Sequence, residues 1–153
     1  GAITLWLASR HADLSGIVCI NPTTKSSAGK LAGARLAVKT GKKSLPAIGS
    51  DISDPAVKES SYDATPLAAA VSLFADGLKP LSKKYGSIKV PLLLFTATND
   101  HVVNPKESDF LVSKYAGSVE RVTLERSFHV ATQDVEKETV HAKALEFAKR
   151  VTA

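Results

Sequence analysis

The chain has no methionine, one cysteine (Cys19) and one tryptophan (Trp6) among 153 residues. A lone cysteine forms no internal disulfide, so the fold must be held by packing and hydrogen bonds, and a reducing, cytoplasmic setting is expected. No run approaches the roughly 18 uncharged apolar residues that cross a bilayer. The longest apolar stretches are Gly16–Ile20 and Val90–Phe95, so no membrane span is expected. The opening residues lack a basic region followed by a small-residue cleavage site, so a secretory leader is not expected in them.

Acidic residues are missing from a whole segment. Between Leu14 and Ser50 stand six basic residues, Lys25, Lys30, Arg35, Lys39, Lys42 and Lys43, and no Asp or Glu. Such a stretch can serve nucleic acid or an anionic surface. No aromatic side chain is interleaved to stack on bases, so it reads as a solvated surface and no nucleic-acid partner is expected. A helix cap is missing as well. GAITLWLASRH begins inside an apolar helical pattern with no Ser, Thr, Asp or Asn before it, which leads us to expect further chain upstream.

What is present follows an alternating plan. Residues 1–11 predict a buried helix, and Leu14–Ile20 a short strand stopped by Asn21-Pro22. A helix is expected near Gly29–Val38. Short helices broken by turns follow over Leu45–Ala75, the clearest being Pro66–Ala75 with Thr65 as its cap. Val90–Thr96 reads as a strand covered on both faces. Asn104 or Pro105 opens a helix to about Tyr115, with Gly117 after it. Val119–Leu124 alternates as an edge strand does. From Gln133 to Val151, Val140, Ala144, Phe147 and Val151 form one apolar helical face. Strands alternating with helices predict a parallel α/β sheet, whose chemistry sits beyond the carboxyl ends of its strands.

Two such exits carry suitable side chains. Asp100 follows one strand in TATNDHVVNP, and His129 follows the next in ERSFHVAT. A carboxylate accepting from a histidine Nδ1–H fixes the tautomer, and the imidazole can then act as general base and general acid. Read singly, an Asn-Asp pair after a strand is more often an Asx turn than a catalytic acid, and a loop histidine is usually a surface residue; their pairing at consecutive strand exits balances the two readings. On the residues alone both readings stay open. His101 reads equally as a residue at the site entrance and as a solvent-exposed neighbour of Asp100. His11 and His141 lie on helices with no second ligand at useful spacing, so no metal site is expected.

From Asn21 onward the chain resembles bacterial carboxylesterases and monoacylglycerol lipases of the α/β-hydrolase fold. The likeness rests on INP at 20–22, LPAIGSDISDPAVKE at 45–59, PLLLFTATNDHVVNP at 91–105 and VERVTLERSFHVATQD at 119–134. The resemblance implies that Asp100, in D-H-V-V-x-P, and His129, in S-x-H-V, are triad members. It implies a fold corresponding to the C-terminal part of an α/β-hydrolase: the last three parallel strands, flanking helices and a helical cap insert. The division it suggests is core over 1–22, cap over 23–85, and core carrying Asp and His over 86–153.

The family's serine elbow, G-x-S-x-G, would precede GAITLWLA. Ser9, Ser15 and Ser127 lack its flanking glycines, so the nucleophile is expected outside these residues and the 153 residues alone are expected to be inactive. Asn21, Val103 and Val130 flank the site and are candidate pocket residues. The implied activity is cofactor-free hydrolysis of small acyl esters or monoacylglycerols. A non-catalytic binding module of the same fold is the alternative. So is another acyl-transfer enzyme: a thioesterase, acyltransferase or lactonase.

Overall fold

The computed structural model describes all residues, 1–153. Its centre is a three-stranded parallel sheet in the order β1-β4-β5. Strand β4 (Leu92–Ala97) lies in the middle, paired to β1 (Ile17–Ile20) from Ile17↔Leu92 and to β5 (Val119–Leu124) from Leu92↔Val119. All six β4 residues are buried, as its unbroken apolar sequence requires of a strand covered on both faces. Alternate side chains separate two cores. Leu92 and Leu94 join Leu5, Cys19, Leu81, Tyr85 and Leu111 on one face. Leu93, Phe95 and Ala97 join Leu124, Ala131, Val140 and Phe147 on the other.

The helices follow from those two cores. Helices α1 (Ala2–Ala8) and α5 (Lys106–Lys114) supply Leu5 and Leu111 to the first, and α6 (Lys137–Thr152) supplies Val140 and Phe147 to the second. The close approach of α6 explains Gly16: a Cβ there would lie 2.9 Å from the Phe147 ring and 3.0 Å from Val151. The ladder starts one residue later, at Ile17 N–H to Pro91 O, so the expected strand from Leu14 shortens to Ile17–Ile20.

Helix α1 is less buried than its composition suggests. Leu5 and Ala8 pack inward, while Ile3 is 76% exposed and Trp6 and Leu7 are each 41% exposed, because one stripe alone meets the sheet. Between β1 and β4 come α2 (Ala28–Lys39), β2 (Ser44–Pro46), β3 (Ala64–Pro66) and α3 (Leu67–Ser72). Helix α3 runs on through a π-helical turn, Leu73–Leu78, into α4 (Lys79–Leu81). Thr65 does not cap α3. It lies in β3, opposite Leu45 in a two-stranded antiparallel ribbon, and Pro66 precedes the first helical residue. Helix α5 starts where its sequence indicates, with Asn104 Oδ1 accepting from Lys106 N–H at 2.9 Å. No helix is long and apolar enough to cross a membrane.

Candidate active site

Strand β4 ends at Ala97, and the turn after it carries Asp100; β5 ends at Leu124, and the loop after it carries His129. Because β4 and β5 are parallel neighbours, the two loops leave the sheet at the same end. Asp100 Oδ1 accepts from Val102 N–H at 2.8 Å and Val103 N–H at 2.7 Å, which makes an Asx turn. Its other oxygen, Oδ2, lies 2.8 Å from His129 Nδ1. The turn and the histidine contact use different atoms of one carboxylate, whose side chain is 2% exposed.

The imidazole is half-buried. With Oδ2 accepting, Nδ1 carries the proton and Nε2 keeps a lone pair. The hydrogen bond to Asp100 raises the His129 pKa above its ordinary value; burial works against this, and the charges of Asp100, Asp51 and Glu59 add to it. His129 lines a cleft of about 310 Å³ with Ile20, Glu59, Val130, Ala131 and Thr132. A larger cavity of about 620 Å³ lies away from this chemistry, between α2 and α3, walled by Ala32, Leu36, Ala68 and Val71 among others.

The three candidate pocket residues separate. Val130 lines the His129 cleft. Val103 borders a neighbouring space of about 190 Å³, together with Lys25, Lys30, Phe74 and Glu107. Asn21 is buried and acts as a brace. Its backbone adopts φ 45°, its Oδ1 accepts from Ala97 N–H at 2.7 Å, and its Nδ2 donates to His129 O at 2.9 Å. The amide is consumed in joining the tip of β1 to the tip of β4 and to the histidine loop. Only an Asn or Asp readily combines that backbone conformation with a short hydrogen-bonding side chain.

Two buried carboxylates escaped the sequence reading. Asp51 Oδ2 accepts from His129 N–H at 3.0 Å and His101 N–H at 3.1 Å, while Oδ1 lies 2.7 Å from His101 Nδ1. Burial would raise the Asp51 pKa, but these bonds hold it below the usual aspartate range. Asp134, 1% exposed, accepts from Ser53 N–H and Oγ, Asp54 N–H, Phe128 N–H and Val135 N–H. Both connect residues 51–54 to the histidine loop. The available signal was that Asp51 ends the acid-free stretch, in a motif otherwise built for turns.

His101 is 59% exposed in its side chain and sets its ring edge-on to Phe128, with centroids 4.5 Å apart. No cluster of three or more His, Cys, Asp or Glu is placed to hold a metal. Candidate nucleophiles are committed elsewhere. Burial pushes the Cys19 thiol up to about 11. Ser127 is fully buried, its Oγ accepting from Glu136 N–H.

No protein-family model matches the chain. A thermostable monoacylglycerol lipase from Bacillus sp. (strain H-257) is 36% identical over 151 residues, which cover 96% of this chain and 58% of that protein. Among solved structures, a metagenome-derived lipolytic enzyme superposes with TM-score 0.88 at 31% identity, covering 97% of this chain and 61% of its own. The monoacylglycerol lipase of Paleococcus ferrophilus superposes with TM-score 0.71 at 20% identity, over 99% of this chain and 64% of that one. At that identity the likeness concerns the fold alone. The chain thus spans about three-fifths of the length of the relatives it matches.

Proposed function

We propose that this chain, similar over 96% of its length to a monoacylglycerol lipase, belongs among the carboxylesterases and monoacylglycerol lipases of the α/β-hydrolase fold and supplies the acid and the general base of a serine esterase acting on small acyl esters or monoacylglycerols. The observation that supports this reading is the 2.8 Å contact between His129 Nδ1 and the buried Asp100 Oδ2, with the same imidazole lining an open cleft.

In this reading His129 Nε2 takes the proton of a serine hydroxyl as the oxygen attacks the ester carbonyl. Asp100 holds the ring and stabilises the imidazolium that forms. The imidazolium then protonates the departing alcohol, leaving an acyl-enzyme. Water, deprotonated by the same nitrogen, releases the acid. No cofactor takes part. No serine or cysteine of the 153 residues hydrogen-bonds the His129 ring, so the reading takes the nucleophile and oxyanion hole from outside them. The greater length of the Bacillus lipase, of which 58% is matched, leaves room for both.

Residues 1–22 and 86–153 are then core, and 23–85 the cap above the cleft. Ile20, Val130 and Ala131 offer the apolar wall for an acyl group. The test is hydrolysis of a chromogenic butyrate ester by the intact protein. His129→Ala should lower kcat on the order of 10⁶-fold and Asp100→Asn on the order of 10⁴-fold, as loss of the base and of the acid does in other serine hydrolases. Robust activity in both variants would overturn the proposal.

A further inference from the structure

Asp51 lies far from β4 and β5 in sequence, yet its side chain accepts backbone amides from both of their exit loops. One oxygen receives the amide N–H of His101 and the amide N–H of His129. Its neighbour oxygen meets His101 Nδ1, and its own carbonyl accepts from Val130 N–H at 3.1 Å. Asp51 is buried, 6% exposed as a residue, and Gly49, two residues before it, adopts φ 83°. An interaction this complete is expected at a position that must not move. Two long-range amide bonds to one carboxylate oxygen hold the residues beside Asp100 and at His129 in one register.

We propose that Asp51 is a positioning residue for His129, delivered to the base from the segment between β2 and β3. This rests on the reading of His129 as the general base. Asp100 orients the imidazole through its ring, and Asp51 orients the same residue through its main chain, so the geometry of the base depends on the seating of the 23–85 segment. Asp51 also acts through its charge. The charges acting on the His129 imidazole are those of Asp100, Asp51 and Glu59, all acidic, and Asp51 also meets His101 Nδ1 at 2.7 Å. A negative charge there favours the imidazolium that the reaction creates.

The amide bonds and the charge can be separated. Asp51→Asn keeps an acceptor for the two N–H groups and removes the charge; Asp51→Ala removes both. The measurement is made on the whole chain, by following the His129 imidazole resonance through a pH titration and the exchange of the His101 and His129 amides. In Asp51→Ala, exchange at both amides should accelerate by roughly tenfold or more, the factor for one lost charge-assisted bond of about 1.4 kcal/mol. In Asp51→Asn both amides should stay protected while the His129 midpoint moves to lower pH. A purely structural pin would leave that midpoint in place.

If the Ala variant does not fold, the Asn titration decides. Wild-type midpoint and wild-type exchange in Asp51→Asn, with wild-type exchange in any folded Asp51→Ala, overturn the proposal. Asp100→Asn provides the separate control: a His129 midpoint insensitive to that change would count against the Asp100–His129 pair, whatever Asp51 does. In the intact enzyme, Asp51→Ala should lower kcat about tenfold with KM within about twofold. Asp51→Asn should restore most of kcat and carry the acid limb of the rate to lower pH.

Discussion

Replacing Asp134 by alanine should loosen the histidine loop and the whole fold together. The carboxylate is 1% exposed and receives five donors. Two of them, Ser53 N–H at 2.9 Å and Phe128 N–H at 2.7 Å, hold separate parts of the chain against each other. The other three, Ser53 Oγ, Asp54 N–H and Val135 N–H, come from the same two segments and are left out of the sum. A hydrogen bond to a charged group is worth about 1.5–3 kcal/mol net. Two such bonds at the lower end cost about 3 kcal/mol, which for a domain of this size lowers Tm by about 6–12 °C.

The pH dependence of that loss has a definite sign. Burial raises the Asp134 pKa, but the bonds from Ser53, Phe128 and Val135 prevail and hold it below the ordinary value of 3.8. A group with a depressed folded pKa stabilises above its unfolded pKa and loses that contribution as the pH falls through the folded one. The gap between wild type and Asp134→Ala should be full at pH 7 and should close below about pH 4. Calorimetry on both proteins at pH 7, 5 and 3 reads it directly. A gap under about 2 °C at neutral pH, or one that widens on acidification, would show that the five bonds do not anchor the loop.

If His129 is the general base of an intact esterase, as proposed, kcat/KM should rise through an apparent pKa above the unperturbed 6.5 of histidine, because the base works neutral and the bond to Asp100 holds its pKa up. A pH–rate profile with its acid limb below 6.5 would contradict this. Gly117→Ala should be destabilising by about 1–3 kcal/mol, since its new Cβ would meet backbone atoms that cannot step aside. That carbon would lie 2.8 Å from Lys89 C and O and Val90 O. An unchanged melting temperature would refute the clash.

What the sequence disclosed was whatever the chain states locally. Strand β4 announces itself because both its faces are buried and every residue from Leu92 to Ala97 is compatible with that. Helix α6 announces itself through the spacing of Val140, Ala144, Phe147 and Val151. Asp100 and His129 could be singled out because strand exits in a parallel sheet are where side chains meet. The β2–β3 ribbon was not legible: three residues a side carry no alternation, and the pairing of Leu45 with Thr65 is imposed from outside. Asp51 and Asp134 were not legible either. Their partners lie 78 and 81 residues away, at His129 N–H and Ser53 N–H, and nothing beside them in sequence says which amides will arrive. Asn21 showed its position, but its role came from a φ of 45° that composition does not reveal.

One of these ambiguities dissolves rather than resolves. An Asx turn and a partner for His129 stood as competing readings of Asp100, yet the carboxylate has two oxygens and gives one to each contact. The two uses reinforce each other. A carboxylate that faced His129 without the amides of Val102 and Val103 could rotate about its own χ angles and lose the geometry that selects the Nδ1–H tautomer. Closing the turn on Oδ1 removes that freedom, so the entropy of ordering the acid is met by the loop before any substrate arrives. Asn21 and Asp51 extend the same logic to the histidine, fixing its carbonyl and its amide as Asp100 fixes its ring. His129 is thereby held at three points, carbonyl, amide and ring, by three segments of chain, and its ring is bonded through Nδ1 alone.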